Sequence, residues 1–302
     1  MDDRLPLVTI ITPAYNRASF LDETVNSVLA QDYPHIEYIV LDDGSKDNTK
    51  EVMEKYRDRV HFKSHPNIGE TLTVNKGFTM AHGEIICVIN SDDPMLSGAV
   101  RAGVQALQSH PEALAAYPDW DVIGPDSALI EHKQLPDYDI RNMLVDFNVA
   151  MGPGVFIRRS SIERFGMRDP QFKYVGDLEF WFRLALYGKL VHIPKSLATH
   201  RVHPAAASAT DRGARMADEL VRMVHKIYSL DGVPATIRGI RRQVLSNSHN
   251  IATYYCGSDR LAFYRHKFWY YWYAPQKMFV DLFGSIYYPV RKMLFKVKSK
   301  FR

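Results

Sequence analysis

The sequence predicts an α/β fold with a mainly parallel sheet and flanking helices, followed by a helical C-terminal region rich in aromatic and basic residues. Over the first 120 residues, short apolar runs alternate with segments whose apolar residues recur at helical spacing, as expected when helices connect parallel strands. Hydrophobic residues make up 46% of the 302 residues and charged residues 24%, so most of the chain is able to bury a core. Residues 260–302 differ from the rest in composition, and we expect them to belong to a helical extension.

Most of the predicted strands of the first half are short apolar runs, and the third reads VHFKS. These strands span residues 7–12, 36–41, 60–64 and 85–90, and the helices between them span 19–31, 47–56 and 70–81. In the first helix, Phe20, Leu21 and Val25 share one face. Ser19 precedes this face and is predicted to cap the helix, because its hydroxyl can accept a hydrogen bond from a free backbone N–H.

Fewer elements are evident beyond residue 120. Residues 151–160 are predicted as a strand whose glycines leave room for a ligand to approach. An apolar helix over 178–187 begins directly after Asp177 and closes at Gly188. Residues 190–194 are predicted as a strand that precedes the polar sequence THRVHP.

Positive charge is concentrated near the C-terminus. The net charge is +4, but residues 260–302 carry ten Lys and Arg against one Asp, which is +9, so the remainder carries 28 against 33, which is −5. The same residues hold 14 of the 36 aromatic side chains. Aromatic and basic side chains together are typical of a membrane–water boundary, so we expect peripheral binding to an anionic membrane surface. The alternatives are a helical cap on the rest of the chain and a nucleic-acid surface, although no nucleic-acid-binding motif accompanies the charge.

The cellular location is predicted from what the sequence lacks. The start MDDRLPLV has no basic region followed by an apolar stretch, so no secretory signal is expected. No run of about 18 apolar residues occurs, and Pro275 and Pro289 divide the C-terminal region into short helices. Cys87 and Cys256 are predicted to be reduced thiols. We therefore predict a cytoplasmic protein that is peripheral at the inner face of the cell membrane.

Polar residues follow three of the predicted strands, in the segments TPAYNR (12–17), DDGSKDNT (42–49) and NSDDP (90–94). The carboxyl ends of parallel strands meet at one edge of a sheet, where ligands bind in α/β proteins. Asp92 and Asp93 at this edge would repel a phosphate-containing ligand unless a divalent cation lay between them. We therefore predict that the pair binds Mg²⁺ or Mn²⁺. The alternative is that one of the two caps the helix that follows.

Two common nucleotide-binding motifs are absent. No G-x-G-x-x-G follows the first strand, and no G-x-x-x-x-G-K-[ST] occurs anywhere in the sequence. A dinucleotide-binding domain or a P-loop is therefore not expected.

Four blocks of the sequence, taken in order, resemble glycosyltransferase family 2. They read VTIITPAYNR, SVLAQDYPHIEYIVLDDGSKDNT, GEIICVINSDDP and GDLEFWFRLALYGKLVHIPKSLATHRVHP. The resemblance covers about residues 5–210 and implies the GT-A fold, a Rossmann-like nucleotide-sugar domain. It implies a GT-A domain at 1–215, with a nucleotide-sugar half at 1–120 and an acceptor half at 121–215. Residues 216–302 would then form the C-terminal extension.

The resemblance implies roles for particular residues. Those implied to bind the nucleotide sugar are Pro13, Ala14, Tyr15, Asp43, Asn75, Lys76, Ser91 and Asp92. Those implied to bind the metal are Asp92, Asp93 and His203, and Arg201 is implied to contact phosphate. Asn90 stands where the family's metal-binding D-x-D motif has its first Asp, so the site loses one charge. The alternative roles of Tyr15 and Lys76 are an ordinary loop aromatic and a solvated charge.

Asp177, in the segment YVGDLEF, matches the family's catalytic base. An inverting transferase uses a carboxylate to remove the proton of the acceptor hydroxyl, while the metal neutralises charge on the departing diphosphate. The alternative role of Asp177 is to cap the helix that follows it. Glu179 is a second candidate for the base, two residues further around the helix.

The predicted function is an inverting, hexosyltransferase-type glycosyltransferase of cell-envelope polysaccharide biosynthesis. It would move a sugar from a UDP- or dTDP-sugar to a glycan or lipid-linked acceptor, with Mn²⁺ or Mg²⁺. Three alternatives stay open. The loss of charge at Asn90 leaves room for an inactive sugar-nucleotide-binding protein. A nucleotidyltransferase would need a Gly-rich basic loop in place of TPAYNRAS, and a retaining transferase would give the opposite anomer.

Overall fold

The computed structural model describes residues 5–149, 151–204 and 213–281. The chain divides into two compact units, residues 1–210 and 211–302. The sequence predicted this boundary five residues later, at residue 215. The strands of the first unit are β1 (Val8–Ala14), β2 (Ile36–Asp42), β3 (His61–Ser64), β4 (Ile85–Val88), β5 (Ala113–Ile123), β6 (Leu129–Lys133), β7 (Phe156–Arg158) and β8 (Lys189–Arg201). Its helices are α1 (Ala18–Leu29), α2 (Thr49–Glu54), α3 (Glu70–Met80), α4 (Ala99–Ser109), α5 (Ile140–Asp146), α6 (Arg159–Phe165) and α7 (Gly176–Tyr187).

Within the described residues of the first unit, the strands form one sheet in the order β3-β2-β1-β4-β7-β5-β6, with β8 paired to β5. β1 pairs in parallel with β2 and β4, so that Val8 lies opposite Ile36 on one side and Ile85 on the other. β2–β3 and β5–β8 are also parallel, whereas β7 and β6 pair antiparallel to their neighbours. The predicted α/β fold with a mainly parallel sheet is confirmed, and both predicted halves contribute strands to this sheet.

The central strand β1 is covered on both faces, because all seven of its residues are buried. Helix α3 packs closely on it: a Cβ added at Gly77 would lie 2.6 Å from Cγ2 of Ile11. A larger residue at this position would separate the helix from the sheet. The continuous apolar run that predicted β1 therefore reflects burial on both faces, as in other parallel sheets.

The predicted N-cap of the first helix is wrong. Helix α1 begins at Ala18, with Arg17 rather than Ser19 at the N-cap position and no capping bond from that side chain. The free N–H of Ala18 instead donates to Oδ2 of Asp47 at 3.0 Å, and the N–H of Arg17 donates to Oγ1 of Thr49 at 3.2 Å. A neighbouring loop supplies the cap, and a local sequence pattern does not reveal such a contact.

Strand β8 is longer than predicted, since the prediction ended at residue 194 and the strand continues to Arg201. The register against β5 shifts where Pro118 pairs with Ile193 and the next residue, Asp119, pairs with Ser196. Such a bulge accommodates Pro194, which has no N–H to donate to a ladder. As a result Thr199–Arg201 pair with Asp121–Ile123 and lie beside the tip of β4.

The described residues of the second unit are mainly helical, as predicted. Its described helices are α8 (Gly213–Ser229), α9 (Ala235–Gly239), α10 (Arg241–Tyr255) and α11 (Arg260–Tyr273). Nδ1 of the His249 ring lies 2.9 Å from Nδ1 of His266, and burial lowers the pKa of His249 to about 3, so this ring is neutral at pH 7. Helix α11 ends before Pro275, in agreement with the prediction, whereas Pro289 lies outside the described residues.

Two further observations bear on the predicted location. No helix within the described ranges is both long enough and apolar enough to cross a membrane. Cys87 and Cys256 are buried free cysteines, as the sequence predicted.

Candidate active site

The loops that follow β1 and β2 are cross-linked at the carboxyl edge of the sheet. The N–H of Asn16 donates to Oγ of Ser45, and Oδ1 of Asn16 accepts from the N–H of Lys46, both at 2.8 Å. Asn16 has a left-handed backbone with φ of 52°, a conformation in which Asn is enriched. Beside this cross-link the side chain of Tyr15 is 42% exposed. The edge therefore presents an accessible aromatic ring on a fixed loop.

Other predicted donor-binding residues are buried at the ends of the strands. Pro13 and Ala14 are the last residues of β1 and lie opposite Leu41 and Asp42. Ser91 is buried, and its carbonyl accepts from Oγ1 of Thr24 at 3.1 Å. These residues shape the edge by their backbone positions.

The carboxylate of Asp43 organises the entry to α3. Its two oxygens accept the N–H groups of Ile68 and Gly69 at 2.6 and 2.9 Å, and the residue is buried. A carboxylate has about four acceptor sites, so these two bonds leave capacity for further donors. The predicted contact with a nucleotide base stays a prediction.

Asp92 receives two donors at one oxygen. Its Oδ2 lies 2.9 Å from Nε of Arg17 and 3.1 Å from Nε2 of His203. The side chains of Arg17 and Asp92 are 17% and 14% exposed, so the pair lies near the surface of the edge. The alternative that Asp92 caps a helix is wrong, because α4 begins at Ala99 with Gly98 at its N-cap.

Asp93 differs from its neighbour, because both of its oxygens are held by the protein. Oδ1 accepts from the N–H of Arg201 at 2.7 Å and Oδ2 accepts from the amide of Asn90 at 2.9 Å. Its side chain is 2% exposed, and it raises the pKa of His200 above the usual value through a hydrogen bond. In this arrangement Asp93 joins the end of β8 to the tip of β4.

Arg201 is held by acceptors of the protein itself, and its implied contact with phosphate stays a prediction. Its side chain is fully buried, and its guanidinium donates to Glu23 Oε2 at 2.6 Å, to the Asp92 carbonyl at 2.8 Å and to the Gly124 carbonyl at 3.0 Å. The carbon Cζ lies 4.9 Å from the centre of the Phe20 ring. Arg201 therefore holds the loops around Asp92 together.

The residues at Asp92 fit a divalent cation that a diphosphate helps to hold. A cation of this kind binds oxygen and imidazole ligands at about 2.1 Å in octahedral geometry, so adjacent ligands lie about 3 Å apart. Asp92 Oδ2 and His203 Nε2, at 3.1 Å, match that spacing. Within the described part of the chain, no group of three or more His, Cys, Asp and Glu could hold a metal. The protein thus offers two ligands, and phosphate oxygens and water would have to supply the others.

Asp177 is exposed and lies in the first turn of α7, where Val175 occupies the N-cap position. The alternative that Asp177 caps the helix is therefore wrong. Its Oδ1 accepts from the N–H of Leu178 at 2.8 Å, and a negative charge is favoured at a helix N-terminus. One carboxylate oxygen remains available to a substrate hydroxyl.

Helix α3 fixes the start of α7. Oγ1 of Thr71 donates to the carbonyl of Phe172 at 3.1 Å. A Cβ added at Gly176 would lie 2.6 Å from Oγ1 of Thr71. Because α3 follows directly from the Ile68–Gly69 backbone that Asp43 holds, this contact places Asp177 at the same edge of the sheet as Asp43.

The side chains of Asn75 and Lys76 differ in how many hydrogen bonds they make with the protein. Oδ1 of Asn75 accepts from the N–H of Arg168 at 3.0 Å, and its Nδ2 donates to the carbonyl of Arg168 at 2.7 Å. The amide of Asn75 therefore holds the segment before α7, and its implied contact with the nucleotide sugar stays a prediction. Lys76 is half-buried, and its ammonium makes no hydrogen bond or ion pair with the described residues.

Glu179 is excluded as the base, because it is fully buried in an ion pair. Its carboxylate accepts from Nε and Nη2 of Arg183 at 2.8 and 3.0 Å. Arg183 also donates to the carbonyls of Phe165, Gly166 and Met167. The pair thus anchors the segment that leads to Asp177.

Sequence reasoning missed two residues of this region. Arg17 contacts Asp92 across 75 positions of sequence, and no local pattern signals such a pair. Trp120 lies 5.6 Å from the His200 ring, and its indole N–H has no hydrogen-bond partner among the described residues. Trp120 was missed because the bulge in β8 is not evident from the sequence. The bulge sets His200 opposite Val122, and therefore near Trp120.

The chain is similar in sequence to known glycosyltransferases. The model of glycosyl transferase family 2 matches residues 9–166, more than half of the chain. An uncharacterized glycosyltransferase of Rickettsia typhi is 27% identical over 213 residues, which is 68% of this chain and 67% of that protein. Hyaluronan synthase of Pasteurella multocida is 27% identical over 235 residues, 76% of this chain and 24% of that enzyme.

Solved structures share the fold. TarS residues 1–349 of S. aureus, in complex with UDP-GlcNAc, gives a TM-score of 0.66 at 18% identity and covers 81% of this chain and 72% of that chain. The mannosyltransferase PcManGT of Pyrobaculum calidifontis, in complex with GDP-Man and Mn²⁺, gives a TM-score of 0.61 at 18% identity. The match covers 96% of this chain and 84% of that chain. The family match, the sheet order and these shared folds together show that the chain belongs to glycosyl transferase family 2 and is a glycosyltransferase of the GT-A fold.

Proposed function

We propose that the enzyme transfers a sugar from a nucleotide-diphosphate sugar to a hydroxyl of a glycan or lipid-linked acceptor, with inversion. The observation that carries this proposal is that Asp92 pairs with His203 at the carboxyl edge of the sheet, while Thr71 of α3 holds the start of α7, where Asp177 is an exposed carboxylate. The acceptor oxygen forms a bond to the anomeric carbon as the bond from that carbon to the diphosphate breaks. The acceptor proton passes to Asp177, and the nucleoside diphosphate leaves with the electron pair.

The donor is proposed to bind along the loops after β1, β2 and β4. Tyr15 would stack on the base beside Pro13 and Ala14, and Asp43 would accept from a base N–H. Ser91 and Asp92 would lie along the diphosphate. The ammonium of Lys76, which has no partner among the described residues, suits a phosphate or sugar hydroxyl. We propose a UDP- or dTDP-sugar, because a single exposed tyrosine suits a pyrimidine ring.

The cation is proposed to be Mn²⁺ or Mg²⁺, held by Asp92 and His203. When bound, it would stabilise the charge that develops on the departing diphosphate. Asp93 would be a ligand only if it released Asn90 or the backbone of Arg201. We therefore assign Asp93 the role of holding β8, and with it His203, beside Asp92.

Polysaccharide biosynthesis is the proposed context. Hyaluronan synthase and chondroitin synthase of Pasteurella multocida are 27% and 28% identical to parts of this chain. Both are named for making polysaccharides, which supports a growing glycan of the cell envelope as the acceptor.

A thermal-shift screen with UDP, dTDP, GDP and ADP, with Mn²⁺ or with a chelator, tests the donor site. A ligand that binds only the folded state stabilises it by about 2.7 kcal/mol at 100 times its Kd. We expect UDP or dTDP with Mn²⁺ to raise Tm by several degrees and the chelator to abolish the rise. Equal shifts with the chelator would contradict the cation assignment, and no shift with any nucleotide would contradict the proposed function.

We also propose that helix α11 attaches the protein peripherally to an anionic membrane surface. Leu261, Tyr264, Phe268 and Trp272 lie at helical spacing on one face of α11 and are 82%, 67%, 58% and 61% exposed. Ten Lys and Arg within residues 260–302 supply charge complementary to anionic lipid. Aromatic side chains near basic ones suit the headgroup region, and this attachment would bring the active site to a lipid-linked acceptor.

Vesicle binding by the full chain tests the membrane proposal. The double variant Phe268→Glu, Trp272→Glu should lose most binding to phosphatidylglycerol vesicles in a flotation assay, because two charges would have to enter the interface. Ile130→Glu is the matched control, since Ile130 is 63% exposed on β6 of the other unit, and it should bind as the wild type does. If the wild-type chain ignored these vesicles at low salt, or bound neutral ones equally well, the proposal would be wrong.

A further inference from the structure

Arg17 occupies the carboxylate oxygen that a cation would need. Nε of Arg17 lies 2.9 Å from Oδ2 of Asp92, and that same oxygen lies 3.1 Å from His203. Nη1 of Arg17 also donates to the carbonyls of Asn16 and Tyr15 at 3.1 and 3.4 Å. The guanidinium therefore connects the loop that carries Tyr15 to the proposed cation site.

The charges around this oxygen determine how strongly a cation is attracted. Asn90 contributes no charge, and both oxygens of Asp93 are held by protein donors. Asp92 is then the carboxylate that faces the site, and the guanidinium of Arg17 neutralises it. A divalent cation that approaches Asp92 meets a positive charge within a few ångströms, and like charges at that distance repel strongly.

The pair is also able to separate. Both side chains are partly exposed, at 17% and 14%, whereas the side chain of the nearby Arg201 is fully buried. A diphosphate at this edge would bring acceptor oxygens for the guanidinium, and arginine binds phosphate oxygens well. Arg17 could then exchange one anion for another without losing its charge partner.

We propose that Arg17 is a positioning residue that keeps the cation site closed until the diphosphate arrives. In the nucleotide-free enzyme its guanidinium competes with the cation for Asp92. When the nucleotide binds, Arg17 turns to the diphosphate and frees the carboxylate, so that cation and nucleotide bind cooperatively. This inference rests on the proposed function, since it assumes a diphosphate ligand at the same edge.

Mn²⁺ binding measured by the electron paramagnetic resonance of free Mn²⁺ tests the inference without any measurement of activity. Arg17→Gln should bind Mn²⁺ about tenfold more tightly than the wild type in the absence of nucleotide, because the competing charge is gone. Saturating UDP should tighten Mn²⁺ binding at least tenfold in the wild type and much less in the variant. Arg17→Lys keeps the charge and should resemble the wild type.

Arg101→Gln is the matched control, because Nε of Arg101 also lies 2.9 Å from a carboxylate oxygen, that of Asp32, and this pair should not affect Mn²⁺ binding. Equal nucleotide-free Mn²⁺ affinity in the wild type and Arg17→Gln would overturn the inference, as would equal tightening by UDP in both. Failure of every one of these proteins to bind UDP would instead count against the proposed function. The nucleotide-free comparison would still decide whether Arg17 competes with the cation, and it does not depend on how well a variant transfers sugar.

Discussion

Asp177→Asn should lower kcat by about 10²–10⁴, the usual contribution of a positioned general base, while the affinity for the nucleotide changes less than threefold. The physical reason is that an amide cannot accept the proton of the acceptor hydroxyl at neutral pH. The fold should be unaffected, because Asp177 is exposed and the amide oxygen of Asn can still accept from the N–H of Leu178. Initial rates with a labelled donor, together with titration of the nucleotide, measure both quantities.

Asp58→Asn is the control for this substitution. Asp58 is also exposed and precedes β3, at the opposite edge of the sheet from the candidate site, so its replacement should leave kcat within a factor of two. If Asp177→Asn kept more than a tenth of wild-type turnover, Asp177 would not be the base. If it lowered Tm by many degrees, the loss of rate would have to be assigned to folding.

The first half of the fold was predictable because its signals are local. Three apolar runs, the segment VHFKS and three helical segments occur in sequence order, and the structure forms β1–β4 and α1–α3 at those places. The second half depends on contacts between distant residues. The pairing of β8 with β5 passes through a bulge at Pro194, and a periodicity that breaks at a bulge does not predict a strand.

In the candidate site, too, some residues are signalled by local motifs, whereas their contacts with distant residues are not. Asp92, Asp177 and His203 could be named as candidates because they lie in segments that resemble the family's motifs. What surrounds each of these residues could not be identified. No sequence pattern indicates that Asn75 holds the backbone of Arg168 across 93 positions, or that Asp93 holds the backbone of Arg201 across 108. Both residues lie in motifs that suggest a functional role, yet each holds the backbone of a distant segment. Only the tertiary contacts distinguish a structural role from a functional one.

Disruption of the buried ion pair between Glu179 and Arg183 should have the largest effect on stability. Glu179→Gln should destabilise the first unit by about 3–5 kcal/mol, the usual cost of leaving one member of a buried ion pair without its partner. Glu179 is fully buried and the side chain of Arg183 is 8% exposed, so water can hardly solvate the guanidinium that remains. The amide of Gln would also place a second donor against Arg183. Differential scanning calorimetry should show Tm of the first unit lower by roughly 10 °C.

Glu163→Gln provides a matched comparison, because Glu163 pairs with Arg159 at the same helical spacing but with both side chains exposed, at 63% and 40%. An exposed pair contributes less than about 1 kcal/mol, so this variant should unfold close to the wild type. Equal losses in the two variants would show that burial of the Glu179–Arg183 pair does not determine its contribution. Because Arg183 also holds the carbonyls of Gly166 and Met167, Glu179→Gln should loosen the segment before α7 and lower transfer even at temperatures where the protein stays folded. Restoration of full activity by cooling alone would argue that the pair only stabilises the fold and does not position Asp177.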